Sequence, residues 1–503
     1  MQLFSWMIGK KLSAAKSLLL SLLILLTSSA ILHANITPNK VTLIYANTLY
    51  QLSAAINANL CHTQHFIDPN IRKLAGKPLD LNIRLFDIPK LTNPALPDYC
   101  GHNILDIASA VKTLNNHEVE EGLPLYWLDR TAMLLFGNIT LKQLWMFCVV
   151  LQIALIGVFS FYLLSIGIRW PSVWVVTFLA ILINVNTLML AIDVHGFVLP
   201  CILAILALYG LSARFGFYQK FLPHILFLIA VTSLEFWLYY ARSSELFALL
   251  FIMILYCIFL IRKAKSKSAI ITLLVAKCII ILVFTWLTAI ELGPHATNKT
   301  HPVVHMLVLG LNDPPNAFAK QLGIRWNDKN NLKFAQEINP QVHILYTNAY
   351  DQAISKYYFL LWKNNTKEML AVYHLKIYTI TSGIIKGLVA HFQSNYGINV
   401  GFLFYPFLIM NGYVFVALLM LGILFLLPDV WRAFSNTNYL VLALTMLALL
   451  NLLEGILIIT ALRYLTTFSF YFLVLVYVFW GTVVYAIWTW GKKLKMPRND
   501  AND

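Results

Sequence analysis

The sequence predicts an all-α polytopic membrane protein of about ten transmembrane helices, with two long extracytoplasmic loops that carry surface helices. Three observations lead there. Apolar residues make up 59% of the 503 and charged residues 12%, more apolar material than one soluble core of this length buries. The apolar residues gather into segments long enough to cross a bilayer, at about 17–33, 141–166, 172–192, 197–213, 221–240, 244–261, 268–290, 400–428, 437–462 and 465–490, each able to satisfy its own backbone as a helix. Finally, the basic residues sort by side. Alternate connections counted from the N-terminus carry Lys10, Lys11, Lys16, Arg169, Arg214, Lys220, Arg262, Lys263, Lys265, Lys267, Arg432, Lys492, Lys493, Lys495 and Arg498, whereas the short connections opposite carry only Arg242 and Arg463. Lys and Arg are retained on the cytoplasmic side, so both termini are expected inside and both long loops outside.

Residues 1–34 form the N-terminal anchor, Lys10, Lys11 and Lys16 preceding a leucine-rich run. The same run also reads as a signal peptide cleaved near Ala34, which would leave nine spans without moving any loop across the membrane. Residues 35–140 form the first loop. Pro69, Pro78, Pro89, Pro94 and Pro97 break its first part into irregular folded structure. Ile104, Ile107, Ala108 and Val111 then mark a short amphipathic helix, and Leu123 to Phe136, headed by Tyr126 and Trp127, a second one at headgroup level. Residues 141–290 are a six-helix region. Residues 291–399 form the second loop, with a strand-like run to Leu311, a turn at Asn312-Asp313-Pro314-Pro315-Asn316 and two amphipathic helices near 329–338 and 345–375. Residues 400–503 supply three more spans and a basic cytoplasmic tail.

A net charge of +15 invites a nucleic-acid reading, but the residues responsible sit at membrane edges, where anionic lipid attracts them; no nucleic-acid partner is expected. Cys148, Cys201, Cys257 and Cys278 fall in spans and read as small buried hydrophobes. Cys61 and Cys100 share the first loop, where an oxidising compartment allows a disulfide closing about 40 residues. The sequons at Asn35, Asn138, Asn298 and Asn364 also lie outside, though so short a motif arises by chance.

Two carboxylates of the first loop, Asp98 and Asp106, bracket the start of its first helix, where a general base above the membrane could meet an acceptor hydroxyl. The plainer alternative makes Asp98 a cap and places Asp106 on a wet face. In the second loop, Pro302 and the valines around it predict an extended segment carrying His301 and His305 on one face, open to a phosphate or hydroxyl contact, a structural hydrogen bond or a metal. No third ligand follows at metal spacing, so no metal site is expected. Arg325 suits a bidentate phosphate contact or a pairing with Asp328. Inside the spans lie Glu235, Lys277 and Glu454, which at a cost of about 3 kcal/mol each should face a cavity or one another. Depth along their helices leaves Lys277 and Glu454 a possible ion pair and puts Glu235 near the base of an outer site. Arg463, beside Tyr464 on the outer face, suits an anionic headgroup or simple anchoring.

An inward-facing anchor, a large first outer loop with surface helices, a cluster of spans and a second long outer loop before the last spans together resemble the GT-C superfamily of membrane glycosyltransferases. Leu123 to Trp145, with Leu-Pro-Leu-Tyr ahead of an apolar helix ending in Phe-Gly, and His301 to Asp328 are similar to parts of uncharacterised bacterial membrane proteins related to that group. The resemblance implies transfer of a sugar from a polyprenyl-phosphate donor to an acceptor on the outer face of a bacterial inner membrane, the long loops being periplasmic. It also implies an aspartate of the first loop as base, with basic residues or a divalent cation at the lipid phosphate and no other cofactor. This sequence departs from the pattern in one respect: no Asp or Glu precedes Asp68, where members of the group carry an early acid. A non-catalytic scaffold or assembly factor and a glycan polymerase or ligase are the alternatives. Oligomeric state, sugar and acceptor are not legible.

Overall fold

A computed structural model describes residues 7, 9, 12–33, 40–42, 52, 55–56, 74, 77–88, 91, 123–188, 195–241, 245–262, 267–292, 303–325, 328–343, 345, 347–396, 399–407, 411–432, 436–457 and 466–495. Each of the ten apolar segments is helical within those residues. The helices are α1 (Ala14–His33), α2 (Leu123–Phe136), α3 (Leu141–Ser165), α4 (Trp170–Leu188), α5 (His195–Phe215), α6 (Phe221–Ala241), α7 (Leu246–Arg262) and α8 (Lys267–Leu292). After them come α9 (Val303–Gly310), α10 (Ala317–Gln321), α11 (Asp328–Ile338), α12 (Asn348–Asn364), α13 (Thr366–Tyr396), α14 (Gly401–Phe404), α15 (Gly412–Arg432), α16 (Asn436–Leu457) and α17 (Thr466–Lys495). Six of these, α3, α5, α6, α8, α16 and α17, are long and apolar enough among the described residues to cross a membrane. The helices α1, α4 and α7 are apolar but shorter, and Gly401–Phe407 with Gly412–Leu424 forms a pair bent by 72°.

That bend corrects the continuous span expected at 400–428. Pro406 lacks an N–H to continue the first piece, and Asn411 starts the second afresh, its Oδ1 accepting from Val414 N at 3.2 Å. Two other expectations change. The run to Leu311 is the helix α9 over Val303–Gly310, not a strand: three valines do not outweigh the burial of one helical face, at His305, Val308 and Leu309. The single helix expected over 345–375 is two, because the chain breaks at Asn365, whose N–H still reaches Leu361 O at 2.8 Å. The first loop also contains a short antiparallel pair, β1 (Lys40–Thr42) with β2 (Pro78–Asp80), setting Lys40 opposite Asp80. Downstream of it, Leu85 N donates to Ile139 O and Leu141 N to Ile83 O, both at 2.9 Å, which ties this loop to the α2–α3 corner.

Within the bundle α5 is almost wholly enclosed, touching α3, α4, α6, α7 and α16. Between apolar helices in lipid there is little hydrophobic gain, so close approach at small residues supplies the packing. A Cβ on Gly210 of α5 would fall 2.3 Å from the ring of Tyr162 on α3. The helices α9, α11 and α12 form a separate layer, with Phe334 stacked on Tyr357 at 4.8 Å. From that layer α13 runs on to pack against α15 and α16.

The tightest contact of α13 is at Gly412, whose added Cβ would lie 2.1 Å from Ile377 O, whereas Gly383 of the same helix has nothing within 4 Å. Gly412→Ala is expected to cost about 1–3 kcal/mol through forced backbone separation, and Gly383→Ala to be neutral or slightly stabilising through helix propensity. Thermal unfolding in detergent distinguishes them; equal effects would mean that α13 and α15 do not meet there.

Candidate phosphate-binding groove and buried charge clusters

One residue singled out from sequence lines an open groove. It is Arg325, exposed at the mouth of a cavity of about 450 Å³ that Asn312, Asn316 and Lys320 also line. Local chain chemistry shapes this groove. Asn316 fixes its floor: Nδ2 donates to Leu311 O at 2.6 Å and to Pro314 O at 2.9 Å, while Oδ1 accepts from Ala319 N at 2.9 Å and so caps α10. At the other end of α10, Gly323 takes φ +69°, which a residue without Cβ adopts at little cost. Ile324 N then donates back to Ala319 O and Gly323 N to Lys320 O, a Schellman closure. Ile324 is buried, and the residue after it, Arg325, is carried back to the same groove as Lys320. Two cations and the Asn312 amide in a concave site suit a phosphate.

His305 does not join them. It is wholly buried in α9, its Nδ1 hydrogen-bonded to the Tyr350 hydroxyl, and its carbonyl accepts from Asn331 Nδ2 at 2.9 Å. Of the three roles open to it, the structure shows the hydrogen-bonding one, holding α9, α11 and α12 together. Asp98, Asp106, Cys61, Cys100, His301 and Arg463 lie outside the described residues. Among the described residues no group of three or more His, Cys, Asp or Glu is placed to hold a metal.

In the bundle, Lys277 of α8 pairs with Glu235 of α6 rather than with Glu454. Glu235 also accepts from the Tyr209 hydroxyl of α5 at 2.8 Å, and the Lys277 ammonium stands 5.5 Å over the Tyr209 ring. Glu454 lies apart on α16, within 3.4 Å of Asn451 Nδ2, while Asn451 Oδ1 accepts from Phe468 N at 2.9 Å and so ties α16 to α17. The largely exposed, apolar α8 is thus joined to the bundle by a polar triad spanning α5, α6 and α8.

Two further groups were missed from sequence. Lys376 of α13 is fully buried, donates to Leu457 O at the end of α16 at 3.5 Å and lies 5.8 Å from the Tyr373 ring. Burial pulls its pKa down to about 8, opposed by the charge of Asp313 in the turn between α9 and α10. Asp129 of α2 is fully buried with neither carboxylate oxygen hydrogen-bonded among the described residues, and burial raises its pKa well above the usual carboxylate range. A carboxylate placed seventh in a helix whose other polar residues are only Arg130 and Thr131 was the available signal for Asp129. Lys376 gave none, since a lysine in a mixed helix reads as solvated.

No family model, curated protein or solved structure matches the chain. Its functional reading therefore rests on these residues.

Two outcomes follow from the charge clusters. Removing one partner of the Glu235–Lys277 pair strands the other, whose side chains are 11% and 10% exposed. Glu235→Gln or Lys277→Met alone should each cost about 3 kcal/mol or more, and the double variant less than either sum; additive losses in thermal unfolding would deny the pair. For Lys376, native and unfolded states are both protonated below pH 8. Between about pH 8 and 10.5 only the unfolded state holds the proton, so stability rises with pH across that window, by on the order of 3 kcal/mol in total. In Lys376→Met this rise should be missing when unfolding is followed from pH 7 to 10.

Proposed function

We propose that the protein is a glycosyltransferase-like enzyme of about ten transmembrane helices, with both termini inside, that moves a sugar from a polyprenyl-phosphate donor to an acceptor on the outer face of a bacterial inner membrane. The observation that carries this reading is the groove at Lys320 and Arg325, whose charged lining is basic on both counts and stands in a folded layer joined to the membrane helices through α13. In the reaction the acceptor hydroxyl oxygen forms a bond to the anomeric carbon, and the bond from that carbon to the phosphate oxygen breaks. The electron pair leaves with the lipid phosphate. Two nearby cations stabilise that departing charge most where it is greatest, in the transition state. The hydroxyl proton goes to a carboxylate, a role assigned to Asp98 or Asp106 in the first loop. Asp129, fully buried and with its pKa raised by that burial, has no open path to an acceptor hydroxyl and is not assigned the role.

A second reading has support in the same groove: a basic lining suffices to hold a lipid phosphate without turning it over, as a scaffold or assembly factor would.

Full-length protein in lipid nanodiscs separates the two. Polyprenyl monophosphate binding is expected to weaken at least tenfold in Lys320→Ala/Arg325→Ala, since two charge-assisted contacts are lost at about 1.5 kcal/mol or more each; unchanged affinity would remove the groove from the reading. Asp98→Asn and Asp106→Asn should bind normally, and one of them should lose transfer of labelled sugar from the lipid donor. Transfer and cellular phenotype intact in both would leave the scaffold.

A further inference from the structure

The path of the chain between Lys376 and Gly412 is set by its neighbours. At one end, Lys376 meets Leu457 O at the terminus of α16, and Ile377 lies against Gly412. Phe415, just beyond, packs on Phe468 at 5.8 Å, at the start of the apolar stretch Thr467–Trp490 of α17. These contacts mark one end of the bundle. Between them the chain is elsewhere: Leu403 O accepts from Trp480 Nε1 at 3.0 Å, and Trp480 is near the middle of that stretch. Phe407 packs on both Phe472 and Phe479 at 5.5 Å, on the way back. So Gly401–Phe407 lies along the half of that stretch nearer Thr467, and α13 reaches it from the end that Lys376 marks.

The two arms enclose a cavity of about 600 Å³. The descending arm contributes Lys386, Val389 and Gln393, and the returning arm Asn399, Phe402 and Tyr405. Lys386 lies ten residues past Lys376, about 15 Å along the helix. Its ammonium has no ion pair or hydrogen bond among the described residues, and no acidic residue lines the cavity. Phe402 and Tyr405 are 62% and 70% exposed, as residues facing lipid would be.

We propose that Lys376–Tyr396 and Asn399–Phe407 are the two arms of a re-entrant hairpin whose groove binds a membrane lipid with an anionic phosphate headgroup, the phosphate at Lys386 and a chain along Val389, Phe402 and Tyr405. A bare ammonium at membrane depth is costly, and it is stabilised by a counter-anion or by water. The surrounding apolar wall favours an anion that brings its own hydrocarbon. Irregular backbone at such depth occurs where it is buried in protein or lines a cavity, as this one does. This site is separate from the groove at Lys320 and Arg325 and does not rest on the transferase reading.

The test uses full-length protein in phosphatidylcholine nanodiscs carrying a small fraction of phosphatidylglycerol with a photoreactive tail, followed by peptide mapping. Labelling is expected within 377–407, at least fivefold above that by a photoreactive phosphatidylcholine, and competed by unlabelled phosphatidylglycerol. Lys386→Gln should lose it and Lys386→Arg keep it; both should unfold like the wild type, because this side chain is exposed. Phe402→Glu, which sets a like charge beside the phosphate, should also lose it. Lys320→Ala/Arg325→Ala should label as the wild type does. Equal labelling by the two lipids, unchanged labelling of Lys386→Gln, or competition by inorganic phosphate as effective as that by lipid would overturn the proposal.

Discussion

The packing of α13 is the constraint on which the rest of the structure depends. At its N-terminal end it belongs to the layer of α9, α11 and α12: Tyr373 stacks on Trp362 of α12 at 5.8 Å and shares a hydrogen bond with Tyr358 at 2.7 Å. One turn on, it belongs to the bundle, with Lys376 sunk against the end of α16 and Ile377 O so close to Gly412 that only a residue without Cβ fits. Burying a lysine is unfavourable in itself, and the fall of its pKa from the ordinary 10.5 to about 8 reflects that cost. The packing around it outweighs the cost, and the partial compensation by Asp313 couples the turn beside the Lys320–Arg325 groove to the membrane helices. A layer hinged loosely on the bundle would have no reason to keep that amine dry.

Inside the bundle the forces are of a different kind. Helices α3 and α5 cross where Gly210 admits Tyr162, and the contact energy there is dispersion. The outlying α8 presents mostly apolar side chains to its surroundings, and apolar contact with lipid is worth as much to it as apolar contact with protein. Its attachment thus turns on the Tyr209–Glu235–Lys277 triad, which no lipid tail can replace. Asp129 stands in contrast. It is buried with no hydrogen-bond partner among the described residues, and its neutral form is the one that such a site tolerates.

What the sequence disclosed, and what it did not, divides along physical lines. Apolar runs announced the helices of the bundle to within a few residues, apart from the broken one at 400–428, because in lipid the backbone leaves the chain little choice. Loop geometry was less open: Pro302 and the valines at 303–304 argued for extension, and burial of Val308 and Leu309 made a helix of them. Arg325 stood out as a cation suited to a phosphate or to Asp328, but its nearness to Lys320 did not, since the turn at Gly323 that joins them has no meaning until α10 is in place. The Lys277–Glu235 pairing depended on which helices neighbour α8, a question of topology rather than of depth along a helix. His305 looked functional for the reason that makes it structural here: an imidazole satisfies two buried partners in one position.

If α13 enters the bilayer as its contacts with α15, α16 and the returning arm require, two exposed side chains near its ends should differ sharply in surroundings. Leu370 lies before Lys376 and Phe402 on the returning arm, 57% and 62% exposed, so both tolerate a spin label. In lipid bilayers a label at 370 should relax more in a water-soluble nickel chelate, and one at 402 more in oxygen, which concentrates in lipid. A label at 402 as accessible to the chelate as that at 370 would contradict the descent of this segment into the membrane.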